Sequence, residues 1–114
     1  MAMPVHVSFH NMERCDKLEK TIFLHAGKLK TLYGGAASCR VAVIASQHRE
    51  RRLKALDVVV DLSIPGEDVV TRSRAEDEAH PNASIAVADA FKRTTRRLRD
   101  RRGKQLASRT RTKS

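Results

Sequence analysis

The chain has no tryptophan, one tyrosine and three phenylalanines in 114 residues. So few aromatics leave little with which to stack exposed nucleobases, and they require a core built from aliphatic side chains. There are two cysteines, Cys15 and Cys39, and no CxxC pair. That excludes a disulfide framework and the usual zinc signature, and both thiols are expected to be reduced. No apolar run approaches the roughly 20 residues that span a bilayer, and the opening MAMPVHVSFH lacks the basic-then-apolar layout of a signal peptide. A cytoplasmic location is expected.

Chemistry is equally thin. No glycine-rich phosphate loop follows a strand, and no Ser or Cys sits in a nucleophile motif. His6 and His10 share one strand face, but His25, His48 and His80 are scattered, so neither a metal nor another cofactor is expected. Asp57 and Asp61 fall on one side of a strand. They read as wet-face residues paired with Arg40, Arg72 or Arg74, not as a catalytic carboxylate pair. The chain is read as a non-enzyme without a small-molecule substrate.

What the sequence does have is charge at one end. Lysine and arginine total 23 against 13 acidic residues, a net charge of +10. Residues 92–114 hold eleven cations and the single acid Asp100, so this stretch carries the whole excess while the other 91 residues are neutral. A concentrated cationic surface selects polyanions, and nucleic acid is the first partner to consider.

The hydrophobic period changes in an ordered way along the chain. Val5, Val7 and Phe9 alternate with His6, Ser8 and His10, which predicts a strand with one buried face. From 15 to 32, Leu18, Ile22, Ala26, Leu29 and Leu32 recur at three and four residues, a helical stripe that Gly34-Gly35 would stop. Residues 39–45 predict a second strand, 46–54 a polar loop, and 55–64 a third strand. Pro65-Gly66 turns the chain into a fourth strand at 68–74. The segment 75–81 is acidic and irregular; after it, Asn82 or Ser84 would cap a second helix that runs to about Arg102 and stops at Gly103. Its packed stripe is expected to be Val87, Ala88, Phe91, Thr95 and Leu98, with Arg93, Arg96 and Arg97 pointing away. Phe9, Phe23 and Phe91 read as core. A domain over 1–103 with a basic disordered tail at 104–114 follows.

The order βαβββα fits an α+β fold: a four-stranded mixed sheet with both helices on one face, since two apolar stripes and one core require it. A helical crossover between strands one and two favours a parallel pair, and the short Pro65-Gly66 turn requires strands three and four to be antiparallel.

In that order, the stretches VSFHNME, KLEKTIFLHAGKLKTLYG, SCRVAVIA, ALDVVVDLSIPGEDVV and VADAFKRTTRRLRDRRGK resemble the short ribosome hibernation promoting factors, the HPF/RaiA-like family. The resemblance covers roughly residues 5–104. It implies a double-stranded-RNA-binding-like fold that binds the small ribosomal subunit near its decoding centre and blocks mRNA and tRNA. Carried onto this chain, the family's basic C-terminal helix corresponds to Lys92, Arg93, Arg96, Arg97, Arg99, Arg101, Arg102 and Lys104, and its first helix contributes Lys28 and Lys30. Thr94-Thr95 stands where relatives often have a larger apolar residue, which predicts a looser contact there. Arginine replaces much of the family's lysine, favouring bidentate phosphate contacts.

Two acids on the second helix, Asp89 and Asp100, are too few to neutralise this cluster, so a purely solvated face is the weaker reading. Arg49, Arg51, Arg52 and Lys54 in the loop after strand two form a possible second RNA contact. The partner expected is small-subunit rRNA, read through its backbone, by a protein that is monomeric off the ribosome. The alternative is a protein-interaction regulator, such as a sigma-factor modulation protein, docking an acidic surface.

Overall fold

The computed structural model describes residues 4–32, 38–47, 54–75 and 80–112, with 101–112 described by backbone alone. Its elements are β1 (Val5–His10), α1 (Asp16–Leu32), β2 (Ser38–Gln47), β3 (Lys54–Ile64), β4 (Glu67–Ala75) and α2 (His80–Thr112). The strands lie in the order β1-β2-β3-β4. β1 runs parallel to β2, with Val7 opposite Val41, and the two other pairings are antiparallel. Mixed sheet and crossover are as the periodicity predicts. At the β3–β4 turn Gly66 takes φ +88° after Pro65, the conformation that only glycine adopts without steric cost. At the end of β1, Asn11 also has a positive φ (61°), and its side-chain amide donates to the Ala45 carbonyl at 3.3 Å.

One face of the sheet is covered by both helices. Cys39, Val41, Val43 and Ala45 of β2 and Leu56, Val58, Val60, Leu62 and Ile64 of β3 meet Leu18, Ile22, Ala26 and Leu29 of α1 and Val87, Ala90, Phe91 and Leu98 of α2 in a single core. Both cysteines are free. Burial, helped by the nearby Asp61, pushes the Cys39 thiol up to about 11, so it stays a neutral, unreactive core residue. The opposite face is open to solvent, as expected, and there Asp57 pairs with Arg74 at 3.7 Å while Asp61 lies opposite Arg40 in the ladder.

Five expectations need correction. The helix does not stop at Gly103: α2 continues to Thr112 through what was expected to be a disordered tail. One glycine costs a helix interior only about 1 kcal/mol, and the following Lys104, Gln105, Leu106 and Ala107 are good helix formers. At its other end α2 begins at His80, so Asn82 and Ser84 lie inside it and not at its cap. Pro81 sits in the first turn, where its missing N–H has no intrahelical partner to lose.

The packed stripe of α2 is turned toward β4. Ala83, Ala86, Ala90 and Thr94 are buried with Val87, Phe91 and Leu98, whereas Ala88 and Thr95 are half-buried. Thr94 is the reason. It has no exposed surface and lies 2.6 Å from the Thr71 hydroxyl of β4, and both oxygens are within 3.1 Å of the Ala90 carbonyl. Two hydroxyl protons suffice: one goes to the carbonyl and the other to the neighbouring hydroxyl. The contact is therefore tight where a loose one was expected. Lastly, Phe23 is not core, at 45% exposure, while Phe9 packs half-buried against the core and Phe91 is buried within it.

No helix among the described residues is long and apolar enough to cross a membrane. Gly34-Gly35, Tyr33, His48 and the second-contact residues Arg49, Arg51 and Arg52 lie outside the described residues, and Lys54 opens β3.

Candidate nucleic-acid interface

The cations of α2 divide into two sets by helical geometry. At about 100° per residue, Lys92, Arg96 and Arg99 recur at four and three residues and form one row, whereas Arg93 and Arg97 fall on the flank next to Asp89 and Ala90. That flank faces β4, the edge strand of the sheet. Arg93 donates to the Arg72 carbonyl at 2.7 Å, and Arg97 donates to the Val70 carbonyl. Asp89 completes the join by pairing with Arg93 at 3.1 Å and accepting a hydrogen bond from Ser73 Oγ at 2.9 Å.

These two arginines close part of an exposed strand edge. Unpaired carbonyls on an edge strand recruit other strands, and long cationic side chains laid across them prevent it. They also fix α2 in rotation about its own axis. Replacing both by alanine is expected to cost about 1–2 kcal/mol of stability and to promote self-association, measured by denaturant melts and light scattering. Unchanged stability would mean that neither contact persists in solution.

With Arg93 and Arg97 engaged along the β4 edge, although still exposed, Lys92, Arg96 and Arg99 stand free. All three are exposed, and none makes a hydrogen bond or ion pair with another described residue. The row spans roughly 10 Å of helix at 1.5 Å per residue. Arg101, Arg102 and Lys104 extend α2 beyond it, their backbone helical.

α1 supplies the other side. His25 stacks on Phe91 of α2, ring centroids 5.5 Å apart and planes 16° from parallel, which marks the seam between the helices. Burial in that seam, followed by the charge of Lys28, lowers the His25 pKa, so the imidazole is neutral at neutral pH. Lys28 therefore lies on the α1 flank that faces α2, and the neutral ring between them adds no repulsion to the cations. Lys30, two residues on, projects from the opposite flank of α1 and is separated from this group by the helix itself. Lys17, exposed and eleven residues before Lys28, shares the Lys28 flank. Sequence reasoning passed over it, although the spacing 17, 21, 24, 28 is the signal that would have found it.

Such an arrangement can hold a polyanion. Lysine and arginine side chains on two packed helices can engage phosphate oxygens and release condensed counterions. Among the described residues no three His, Cys, Asp or Glu side chains form a group able to hold a metal. His6 and His10 stand exposed on the open face of β1, His10 within 3.0 Å of Ser8 Oγ.

The family model for the sigma 54 modulation protein / S30EA ribosomal protein matches residues 5–106. No curated protein sequence matches the chain. Among solved structures, a ribosomal subunit interface protein from Coxiella burnetii is similar over 89% of this chain and 99% of its own, with a TM-score of 0.71 and 8% identity. The N-terminal domain of Thermus thermophilus Protein Y is similar over 84% and 96%, with a TM-score of 0.60 and 15% identity. At such identities the two structures establish the fold.

Proposed function

We propose, since the chain belongs to the sigma 54 modulation protein / S30EA ribosomal protein family, that it is a cytoplasmic ribosome hibernation factor, monomeric off the ribosome. It binds small-subunit rRNA near the decoding centre and excludes mRNA and tRNA. The observation that carries this reading is the free row Lys92, Arg96 and Arg99, left exposed while Arg93 and Arg97 are anchored to β4, with Asp100 the one acid described beside it. Scarce aromatics support it further. Tyr33 aside, no Phe, Tyr or Trp side chain besides Phe23 is exposed, which favours folded RNA recognised through its backbone over single strands recognised by stacking. The likeness to a protein described as a ribosomal subunit interface protein supports a ribosomal partner.

Such a protein acts by occupancy, not by reaction. Its inhibition must then be competitive: excess initiator tRNA with mRNA displaces it, and preformed initiation complexes resist it. Filter binding of tRNA to programmed small subunits, titrated with this protein at fixed ionic strength, is expected to show tRNA occupancy falling as the protein saturates. Constant tRNA occupancy at saturation would overturn the decoding-site reading while leaving ribosome binding in place. Charge alone does not require this outcome, because a basic protein attached elsewhere on exposed rRNA would be just as salt-sensitive and would leave tRNA untouched.

A further inference from the structure

The outward crest of α1, bordering the Lys17–Lys28 flank, carries two exposed apolar side chains that phosphate contacts do not use. Phe23 is 45% exposed and Leu24 70%, adjacent residues on a helix whose buried stripe is already complete without them. Exposed single hydrophobics are ordinary, but two neighbours on one helix face away from the core form a patch that water penalises. Gly27 follows one turn later, at i+4 from Phe23 and i+3 from Leu24. Helical side chains lean toward the N-terminus, so the bare backbone at Gly27 leaves a notch beside both. Nothing among the described residues requires this glycine. A methyl group built there meets no atom within 4 Å, and its φ is not in the left-handed range. An exposed helix-interior glycine lowers helix stability relative to alanine, and here no packing demand offsets that.

The charges around the patch that lack a partner among the described residues have one sign; Glu19, one turn before Phe23, is held by Arg14. Lys20 and Lys30 are exposed on either side of Gly27 and make no hydrogen bond or ion pair with another described residue. The acids of α1, Asp16 and Glu19, lie at its N-terminal end, where Arg14 pairs with both, at 3.8 Å and 2.7 Å. An occupant must therefore be acidic, bring apolar side chains for Phe23 and Leu24, and come close to backbone at Gly27. Phosphodiester RNA satisfies the lysines but leaves Leu24 against polar backbone. An α-helix with acidic residues flanking an apolar stripe meets all three demands, since a small residue at the crossing point lets two helices approach closely.

We propose that this crest is a docking site for an acidic amphipathic helix of a protein partner, separate from the cation row on α2. The proposal is independent of the ribosomal reading. To test it, a photo-crosslinking residue is placed at exposed Thr31, one turn beyond Gly27, in the full chain in cells, and adducts are treated with ribonuclease and mapped by mass spectrometry. The expected adduct survives ribonuclease and maps to a helical segment of net negative charge. That segment, made as a peptide, should bind the purified chain and lose at least about tenfold in affinity when Leu24→Ser with Gly27→Glu is introduced, and likewise when its own acids are changed to lysine. Gly27→Ala alone should weaken the peptide while raising the thermal midpoint, a combination that a misfolded variant does not give. Circular dichroism and small-subunit pelleting of each variant are read alongside, and neither is expected to change. A ribonuclease-sensitive adduct, an adduct to a second copy of this chain, a peptide indifferent to the substitutions, or no adduct at all each overturns the proposal. Loss of small-subunit pelleting by Leu24→Ser with Gly27→Glu would instead assign the crest to the ribosome contact.

Discussion

Reversing Lys92, Arg96 and Arg99 to glutamate is expected to abolish binding to small ribosomal subunits, a loss of about 100-fold or more at physiological salt, without unfolding the chain. The reasoning is electrostatic and geometric together. The three side chains form one exposed row with no partner among the described residues, so their removal costs the fold little. Each phosphate contact contributes about one to the slope of log affinity against log salt, so the triple alanine variant should flatten that slope by about three. Arg93 and Arg97 provide the contrast. Because they donate to the Arg72 and Val70 carbonyls, their loss should appear first in stability and only secondarily in binding. Pelleting and circular dichroism on both sets decide the matter. A reversed row that still pellets like the unaltered chain would remove α2 as the principal contact, and a flat salt response would favour an apolar, protein-directed interface.

Phe91→Ala is expected to destabilise the fold by roughly 3–5 kcal/mol, measured by urea melts with the denaturant slope unchanged. Phe91 is the largest buried side chain described on α2, and its truncation leaves a cavity that the surrounding aliphatic side chains refill only in part. It also carries the His25 ring, and its removal opens the seam that sets Lys28 beside the cations of α2. A loss below about 1 kcal/mol would mean that α2 does not rest on the sheet through this face.

How much of this was legible beforehand differs by element. The strands were, because a two-residue period can bury only one face, and β3 with its Pro65-Gly66 turn shows that alternation plainly. The C-terminal end of α2 was not. Gly103 looks like a stop signal, but a stop needs the glycine in a left-handed conformation, and sequence alone does not distinguish that from a tolerated interior glycine. The face of α2 was misjudged by one side of the stripe, because periodicity weighs Thr94 and Thr95 equally. Only the hydroxyl of Thr71, 23 residues away, decides which threonine is buried. Phe23 was assigned to the core by its hydrophobicity, and hydrophobicity does not exclude an exposed position.

The sequence by itself determined the class of this protein: the βαβββα order, the mixed sheet, the aliphatic core and a net charge of +10 drawn to one helix. These follow from local period, turn chemistry and composition, which need no knowledge of distant residues. The tertiary structure decided which cations are available. Arg93 and Arg97 differ from Lys92, Arg96 and Arg99 only in facing the open edge of β4, and that edge exists only once four strands from across the chain have paired. The same holds for Lys28 and Lys30, on opposite flanks of α1, of which only the Lys28 flank faces the seam with α2 that His25 and Phe91 define. A charge becomes a binding group when its surroundings leave it unpaired, and those surroundings are set by long-range packing, which composition does not record.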